Sequence, residues 1–542
     1  MGLTPERIVV GRIATFTGGP GFGWVEALAI AGRRIVATGS RPEIEALAGP
    51  RTRRLDLAPT EVVLPGLTDA HLHLLDVALA AERVDLSDAP TLEAAMAGIA
   101  AASKRAGGDD WIEGGGWDPN RWGRWPTAVD LEQAAPGRRV AVWAHDHHAL
   151  LVSRRALAEA AIGDASQDPP GGRIRRDAAG VATGVLHEHA SRLVSERIPP
   201  LDDDRTDRAI ESACRRLLAL GIVAAHDMGT LAPDRMLGGA FGSVGRLDAR
   251  GGLPIRVHAG IREESLDEAV RRGLRTGVPI AAPGAGRARV GWWKRFADGS
   301  LGSRTAYLRA PYEGGSDRGI LLVDPEGLRD DIARAARQGI VSAVHAIGDA
   351  ALDVALDALA PIEDSLVGPA RRVEHAQLVH DDQLGRLARA GIALSMQPYH
   401  AVSDGPSIGA AWGARARRLG YRWRSAIRSG VALAFGSDAP VESPNPWRGI
   451  AAAIDRSAAT LGEAAGPLDP REALTLDEAL RAACLAPARL AGERDRGRLI
   501  PGERADLVVV PLPPGGRLGD PVVVAALRPR LVLVDGEVGF EA

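Results

Sequence analysis

Short apolar runs alternate along most of this chain with longer segments rich in Ala, Leu and Arg. The β-branched runs are typical of buried strands, and the longer segments have the composition and periodicity of helices. Helical segments at 207–220, 326–338 and 382–390 are each closed by Gly, and another covers 475–486. Eight strands recur, predicted to end at His71, His226, His258, Asp298, His345, His375, Met396 and Ser437.

This alternation predicts an α/β fold of the (β/α)8 barrel type, in which ligands gather at the carboxyl ends of the strands. An open, doubly wound sheet is the alternative layout. No Gly-x-Gly-x-x-Gly opens a helix after a strand, so the nucleotide-binding form of that sheet has no support.

Strand-like runs with Gly-rich turns occupy both ends of the chain. Neither end can bury a sheet face alone, so we expect residues 1–62 and 495–542 to form one composite β-sandwich. The barrel then comprises 63–110 and 201–494. Residues 111–200 form an inserted subdomain that holds five of the eleven tryptophans. Two interpretations of this insertion stay open. It forms a lid over a site, or its tryptophans form a self-contained core.

Composition and charge restrict the class of protein. Lys and Arg total 66 against 69 Asp and Glu, and no long run of one sign suits nucleic acid or an anionic membrane. The chain start has no targeting pattern, and no apolar run has the length of a membrane span. We therefore expect a cytoplasmic protein without nucleic-acid or membrane partners. Cys214 and Cys484 lie far apart, which argues against a disulfide framework or a thiolate metal site.

Side chains able to bind a metal stand where the predicted strands end. His71 and His73 share one face of an extended backbone, which supplies half of a ligand set. Lys294 and Asp298 share a face of the fourth strand, and burial of a lysine there depresses its pKa. Each has a structural alternative: a core or capping histidine, or a Lys294–Asp298 ion pair.

Three further strands supply the remaining candidates. His345 ends the fifth strand, His375 ends the sixth, and Asp438 follows the eighth. Taken singly, each is also compatible with a core or turn position. An ordered set of six metal-capable residues is difficult to explain by chance, so the sequence predicts a metal site at one end of the barrel.

His226, His258 and His400 also lie near strand ends and are interpreted as pocket or core residues and not as ligands. Four further histidines are numerous enough to suggest metal binding, but the six barrel residues explain a metal without them. These four are His145, His147, His187 and His189.

Five motifs contain the candidate ligands: Pro65-Gly66-Leu67-Thr68-Asp69-Ala70-His71-Leu72-His73, the run 294–306, Val344-His345-Ala346-Ile347-Gly348-Asp349, Glu374-His375-Ala376-Gln377 and Gly436-Ser437-Asp438-Ala439-Pro440-Val441. They resemble motifs of the amidohydrolase superfamily, and within it the amidohydrolase family 3 branch, which includes N-substituted formamide deformylases. The resemblance extends to 116–118, 148, 184–188 and 499–507. One departure is His147 and Ser153 in place of the Gly and Asn usual around His148, which leaves the substrate contacts open.

The resemblance implies a distorted (β/α)8 TIM barrel that binds one or two divalent metal ions. Zinc is the expected ion, with manganese or iron as alternatives. The implied ligands are His71 and His73 for one ion, His345 and His375 for a second, N6-carboxylated Lys294 as a bridge, and Asp438 on the first ion.

A bound divalent ion lowers the pKa of its water toward about 7 and polarises a carbonyl group. Asp438 is then placed to take a proton and pass it to the leaving nitrogen. We expect a hydrolase that cleaves a non-peptide carbon–nitrogen bond of a small-molecule amide or N-substituted formamide by metal-activated hydroxide. The candidate substrate contacts are His148, Trp117, Asp298 and Arg304, each with a structural role as the alternative.

Three other functions stay open at this point. A cyclic-amide hydrolase or a deaminase would use the same site. A non-catalytic scaffold of the same fold predicts eroded ligands, whereas all six motif positions are filled. The sequence does not determine the oligomeric state, and a homodimer is one assembly that it allows.

Overall fold

The structure is a computed structural model that describes residues 4–80, 83–199, 202–230, 239–280, 286–362 and 368–542. Three sheets contain its strands. None of the helices within these ranges is long and apolar enough to cross a bilayer.

The strands of the described residues are β1 (Arg7–Ala14), β2 (Trp24–Ala31), β3 (Arg34–Gly39), β4 (Arg53–Asp56), β5 (Glu61–Pro65), β6 (Leu67–Leu72), β7 (Val84–Asp85), β8 (Trp111–Trp117), β9 (Arg139–Ala144), β10 (Ala149–Val152), β11 (Gly172–Arg176), β12 (Ala182–Glu188), β13 (Ile222–Asp227), β14 (Arg256–Ile261), β15 (Ala288–Phe296), β16 (Ser342–Ala346), β17 (Arg372–His375), β18 (Ala393–Met396), β19 (Leu433–Phe435), β20 (Leu507–Pro511), β21 (Leu531–Val534) and β22 (Glu537–Glu541).

The α-helices are α1 (Arg41–Glu45), α2 (Leu74–Leu79), α3 (Leu92–Arg105), α4 (Pro119–Trp122), α5 (Ala128–Ala134), α6 (Arg154–Glu159), α7 (Arg192–Ser195), α8 (Asp203–Ala219), α9 (Gly239–Ala249), α10 (Leu266–Arg271), α11 (Pro325–Arg337), α12 (Asp349–Leu359), α13 (Asp381–Ala390), α14 (His400–Ser403), α15 (Gly405–Trp412), α16 (Arg415–Leu419), α17 (Trp423–Arg428), α18 (Pro446–Ile454), α19 (Ala458–Leu461), α20 (Leu476–Leu490) and α21 (Pro521–Ala526). Short 3-10 turns cover His189–Ser191, Glu263–Ser265, Gly462–Ala465 and Pro470–Glu472.

The central sheet is the predicted barrel. Its eight strands run in the order β6, β13, β14, β15, β16, β17, β18, β19, and each pairs with the next in parallel. The ends meet where Leu72 forms a parallel bridge with Ala439 and where the Asp438 N–H donates to His71 O at 2.7 Å. Nearly every residue of these strands is buried, as expected for a parallel sheet covered by helices. The TIM-barrel prediction is therefore confirmed.

Six of the eight predicted strand ends differ from the structure, by one residue at β6, β13 and β16, by two at β15 and β19, and by three at β14. Strand β14 does not end at His258 but continues to Ile261, and β13 continues from His226 to Asp227. His226 and His258 are fully buried, with their rings 4.8 and 5.8 Å from the Trp292 ring. They are therefore core residues, and Arg262 is the residue that follows the carboxyl end of this third barrel strand.

The two ends of the chain share one eight-stranded sheet, here called the terminal sheet. Its order is β22, β21, β20, β5, β1, β2, β3, with β4 beside β1. Strand β20 pairs with β5 in antiparallel register, Leu507 opposite Pro65. Apolar side chains of both ends, such as Val9, Val63 and Leu533, form one core. Strand β5 reaches Pro65 before the chain enters the barrel. The domain boundary at residue 62 stays a prediction.

The insertion has its own six-stranded sheet in the order β11, β12, β10, β9, β8, β7. Its edge strand β7 lies before residue 111, outside the limits predicted for the insertion. Trp117 and Trp125 contact each other edge to face at 5.9 Å inside this subdomain, whereas Trp143 faces the barrel end. Trp117 and Trp125 therefore pack in a local core, whereas Trp143 forms part of a wall of the cleft described below.

Arg256, at the start of β14, ties the barrel to the terminal sheet. Its guanidinium is buried, with Nη1 2.6 Å from Asp506 Oδ2 and Nη2 bonded to Asp535. Both carboxylates belong to the terminal sheet or its loops and are also buried. Asp535 is also contacted by Arg504 and Arg287, so removal of Arg256 would leave Asp506 as the buried carboxylate without its cation, which is strongly destabilising.

We predict that Arg256→Met lowers the free energy of unfolding by about 3–5 kcal/mol, because the buried carboxylate of Asp506 loses its cation. Urea denaturation followed by circular dichroism measures the change. Arg54→Met is the control, because Arg54 pairs with Asp56 at an exposed site and should leave stability nearly unchanged. Equal stability of the wild type and Arg256→Met would show that this contact does not hold the two units together.

Candidate metal centre

A cleft with an empty volume of about 930 Å³ opens at the carboxyl ends of the barrel strands. Barrel residues form its floor. The insertion forms one wall, through residues that include Trp143, His145, His147, His148 and Glu188. The insertion is therefore placed to cover one side of the site. Its movement as a lid stays a prediction.

His71, His73 and Asp438 meet on the floor of the cleft. His71 Nε2 lies 3.1 Å from Asp438 Oδ1, and His73 Nε2 lies 3.2 Å from the same oxygen. The ligand atoms of these three residues all lie within 4.8 Å of one another, and all three side chains are buried. Two imidazoles and a carboxylate at these separations suit a divalent cation.

Contacts on the far side of each imidazole fix its orientation. His71 Nδ1 lies 2.6 Å from Glu374 Oε2, and His73 Nδ1 lies 2.6 Å from Gly229 O. A proton on each Nδ1 satisfies these acceptors and leaves the Nε2 lone pairs directed at the cleft. Burial opposes ionisation of Glu374, but Arg372 and His71 outweigh it and lower the pKa of Glu374 to about 2.

A second group consists of His375, His400 and Asp438, whose ligand atoms also lie within 4.8 Å of one another. The rings of His375 and His400 are nearly parallel, 5.8 Å apart. His400 Nε2 lies 3.5 Å from Asp438 Oδ2. His400 lines the cleft, as expected for a pocket residue. Its position beside Asp438 and His375 also makes it a candidate ligand, a role that the sequence interpretation excluded.

The other two sequence-predicted ligands lie beside these groups. His345 Nε2 contacts Gly299 O at 3.1 Å, so Nδ1 is the nitrogen left for a metal, and its ring lies 4.4 Å from the His375 ring. Lys294 is buried and lines the same cleft. Burial lowers the pKa of Lys294 to about 8, which increases the neutral amine that can add carbon dioxide.

The alternative of a Lys294–Asp298 ion pair is wrong. The Asp298 carboxylate accepts hydrogen bonds from the backbone N–H groups of Tyr307, Ile347 and Gly348. Burial nevertheless raises the pKa of Asp298 to about 7. Asp298 is fully buried and does not line the cleft, so it fixes the loops around His345 and is not placed to contact a substrate.

Several buried polar atoms on the cleft floor have no hydrogen-bond partner in the described part of the chain. Such atoms are costly to bury unless something else satisfies them. All of them can donate a lone pair to a metal, and carboxylated Lys294 would do so through its oxygens. The donor set therefore fits one or two divalent cations. These atoms are His71 Nε2, Lys294 Nζ, His375 Nδ1, His400 Nε2 and Asp438 Oδ1.

Among the predicted substrate contacts, His148 lies in the cleft wall. Its Nδ1 is 2.9 Å from Glu188 Oε2, and its ring lies 5.2 Å from the His345 ring. Burial disfavours a charged imidazole, but Glu188 outweighs it and raises the pKa of His148 to about 9. A protonated His148 is therefore a hydrogen-bond donor facing the candidate metal centre.

Two predicted substrate contacts are corrected by the structure. Trp117 is buried inside the insertion, where its Nε1 donates to Val142 O at 2.8 Å, and it does not line the cleft. Arg304 is exposed outside the cleft, with its guanidinium over the Tyr312 ring at 4.9 Å. Both belong to motifs that pass close to the site, but their side chains point elsewhere.

Comparison with known proteins places these features in context. The sequence profile described as the amidohydrolase family matches residues 61–540. The chain is 30% identical over 522 residues to the putative amidohydrolase YtcJ of Bacillus subtilis, covering 95% of this chain and 96% of that protein. It is 30% identical over 536 residues to the N-substituted formamide deformylase of Arthrobacter pascens, covering 95% of each chain. The crystal structure of an uncharacterized metal-dependent hydrolase from Pyrococcus horikoshii aligns with a TM-score of 0.74 at 28% identity, covering 94% of this chain and 98% of that one.

We predict that Glu374→Gln weakens metal affinity by about 10–100-fold, because the neutral amide no longer fixes the tautomer and basicity of His71. Titration of metal-free protein with zinc in competition with a chelator measures the affinity. Glu113→Gln is the control, because Glu113 pairs with Arg83 away from the cleft. An unchanged affinity in folded Glu374→Gln would contradict this role.

Proposed function

This chain belongs to the amidohydrolase family, and on that premise we propose that it hydrolyses a non-peptide carbon–nitrogen bond of a small-molecule amide or N-substituted formamide. The proposal is supported by the buried donor atoms of His71, His73 and Asp438, with His375 beside them; of these atoms His71 Nε2, His375 Nδ1 and Asp438 Oδ1 have no hydrogen-bond partner in the described residues. Buried polar atoms of this kind, at the carboxyl ends of barrel strands, are arranged for chemistry and not for packing.

The proposed metal ligands follow from the positions of the donor atoms. Zinc is the proposed ion, with manganese or iron as alternatives. A divalent ion held here lowers the pKa of a water molecule and acts as a Lewis acid toward a carbonyl oxygen. We assign His71, His73 and Asp438 to one ion, His345 and His375 to a second, and N6-carboxylated Lys294 to both, with His400 adjacent.

Asp438 is the proposed proton carrier. Burial opposes its ionisation, but His71 and His73 outweigh burial and hold the pKa of Asp438 well below its usual range. Asp438 is therefore a carboxylate at neutral pH and can accept a proton from the attacking water. Delivery of that proton to the leaving nitrogen makes an amine able to depart.

The walls of the cleft suit an amide with an apolar substituent. His148, held by Glu188, donates toward the region where the substrate carbonyl develops negative charge, which lowers the barrier electrostatically. Trp143, Phe296 and Leu301 supply apolar surface around it. The relative named as a formamide deformylase supports an amide or formamide substrate.

The other functions have less support. Cyclic-amide hydrolysis or deamination would use the same centre, and no feature of the cleft favours either. A scaffold would not need to keep six buried donor residues in one cleft. We therefore retain the amide hydrolase as the proposed function.

We predict that a chelator abolishes hydrolysis and that added zinc or manganese restores it. The assay uses a panel of N-formyl, N-acyl and cyclic amides with dialysed protein, and elemental analysis gives the bound metal per chain. Hydrolysis of an N-formyl or N-acyl amide should dominate. Protein that holds no metal and gains no activity from added metal would contradict the proposal.

We predict that Asp438→Asn lowers kcat by about 10²–10⁴-fold, because the amide cannot carry the proton. The neutral oxygen can still face the metal, so part of the bound metal should remain in elemental analysis. A kcat within a few-fold of the wild type would show that another group transfers the proton.

A further inference from the structure

Arg262 stands next to the candidate metal centre without a role in it. It directly follows Ile261, the last residue of β14, and so lies at the carboxyl end of the third barrel strand. Only 5% of its surface is exposed, and it lines the cleft together with Lys294 and Phe296. A buried guanidinium at the wall of a cleft needs a compensating anion or acceptor.

The protein does not fully satisfy this guanidinium. Within the described ranges, Nε of Arg262 reaches Glu264 at a long 3.4 Å, and Nη1 is buried without a hydrogen-bond partner. The nearby Glu263 is engaged elsewhere, since Arg192 bonds to it and Arg295 Nη1 lies 3.8 Å away. Arg262 also interacts electrostatically with Glu263, but unlike Arg192 and Arg295 it makes no direct contact with that carboxylate.

The Arg262 side chain is held in place by the backbone of the metal centre. It packs on Gly229, where an added Cβ would lie 2.7 Å from Arg262 Cδ. The carbonyl of Gly229 is the acceptor that orients His73. On the other side, the guanidinium carbon lies 5.5 Å from the centre of the Phe296 ring. Packing against Gly229 therefore restricts the aliphatic part of the side chain before any ligand arrives, which reduces the entropy lost on binding.

We infer that Arg262 is the anion subsite of the cleft and that it binds a carboxylate group carried by the amide substrate. The planar guanidinium matches a carboxylate in a bidentate arrangement better than it matches a single carbonyl oxygen. This inference rests on the proposed function and narrows it to amides that bear a carboxylate. The carbamate of a carboxylated Lys294 is also an anion that a guanidinium can bind. The test therefore distinguishes a carboxylate of the substrate from this carbamate of the protein.

The test uses pairs of amides that differ only by a carboxylate. N-formylphenylalanine and N-formyl-2-phenylethylamine place the difference on the amine side, whereas N-benzylsuccinamic acid and N-benzylpropanamide place it on the acyl side. Wild-type, metal-loaded protein should hydrolyse the acid of at least one pair with a kcat/KM about 10–100-fold above that of its neutral partner.

Arg262→Met should lower kcat/KM on the acid by about 10–100-fold more than on its neutral partner, while Arg262→Lys should keep the charge but lose about tenfold on the acid. Arg295→Met is the matched control, because Arg295 also neighbours Glu263 but does not line the cleft. The control should keep the preference. If Arg262→Met does not fold, the comparison of Arg262→Lys with the wild type decides.

Three results would overturn the inference. They are equal rates within both pairs for the wild type, equal losses on acid and neutral amide in the variants, or loss of bound metal in the folded Arg262→Met protein. The last result would mean that Arg262 serves carboxylated Lys294. If neither pair is hydrolysed, the proposed function fails on these compounds, and isothermal titration with the same pairs then tests the subsite alone. Tighter binding of the acid that is lost in Arg262→Met but kept in Arg295→Met supports the subsite. Equal binding of acid and neutral amide overturns it.

Discussion

Asp438 joins the closure of the barrel to the chemistry of the site. Its backbone N–H bonds to His71 O and connects the last strand to the first, while its carboxylate contacts both His71 and His73. Asp438 adopts a φ of 61° and His375 a φ of 71°, a region that residues other than glycine seldom occupy. Strain of this kind at two neighbouring metal-capable residues is typical of functional sites, where the surrounding fold imposes the geometry.

The barrel and the insertion contribute different parts of the candidate site. The barrel holds the donor atoms rigidly, because their far sides are fixed by Glu374, Gly229 and Gly299. The insertion supplies the wall with His148, and it is attached where Asp146 accepts hydrogen bonds from Ser300 and Ser303 after β15. The candidate donor atoms therefore belong to the barrel, and the insertion adds a wall of different composition to the same cleft.

The sequence predicted the barrel and the positions of the six donor residues because both depend on local patterns. Strand ends follow from apolar runs, and the period of two places His71 and His73 together. His400 was missed as a candidate donor because it lies beyond β18, at the start of α14, where strand periodicity no longer applies. The contact of Glu374 with His71 joins residues that are 303 positions apart, which no local pattern reveals. Trp117 was misplaced because composition shows that tryptophans cluster but not which way each one faces.

A crystal structure of the metal-loaded protein, with anomalous diffraction measured at the zinc or manganese absorption edge, tests whether the barrel strands gather a metal centre around Asp438. We expect one or two anomalous peaks on the cleft floor, with density for a carboxylated lysine where two ions are bound. The peaks should lie between His71, His73, Lys294, His345, His375 and Asp438. Anomalous peaks only at other positions, or none on the cleft floor at saturating metal, would contradict this expectation.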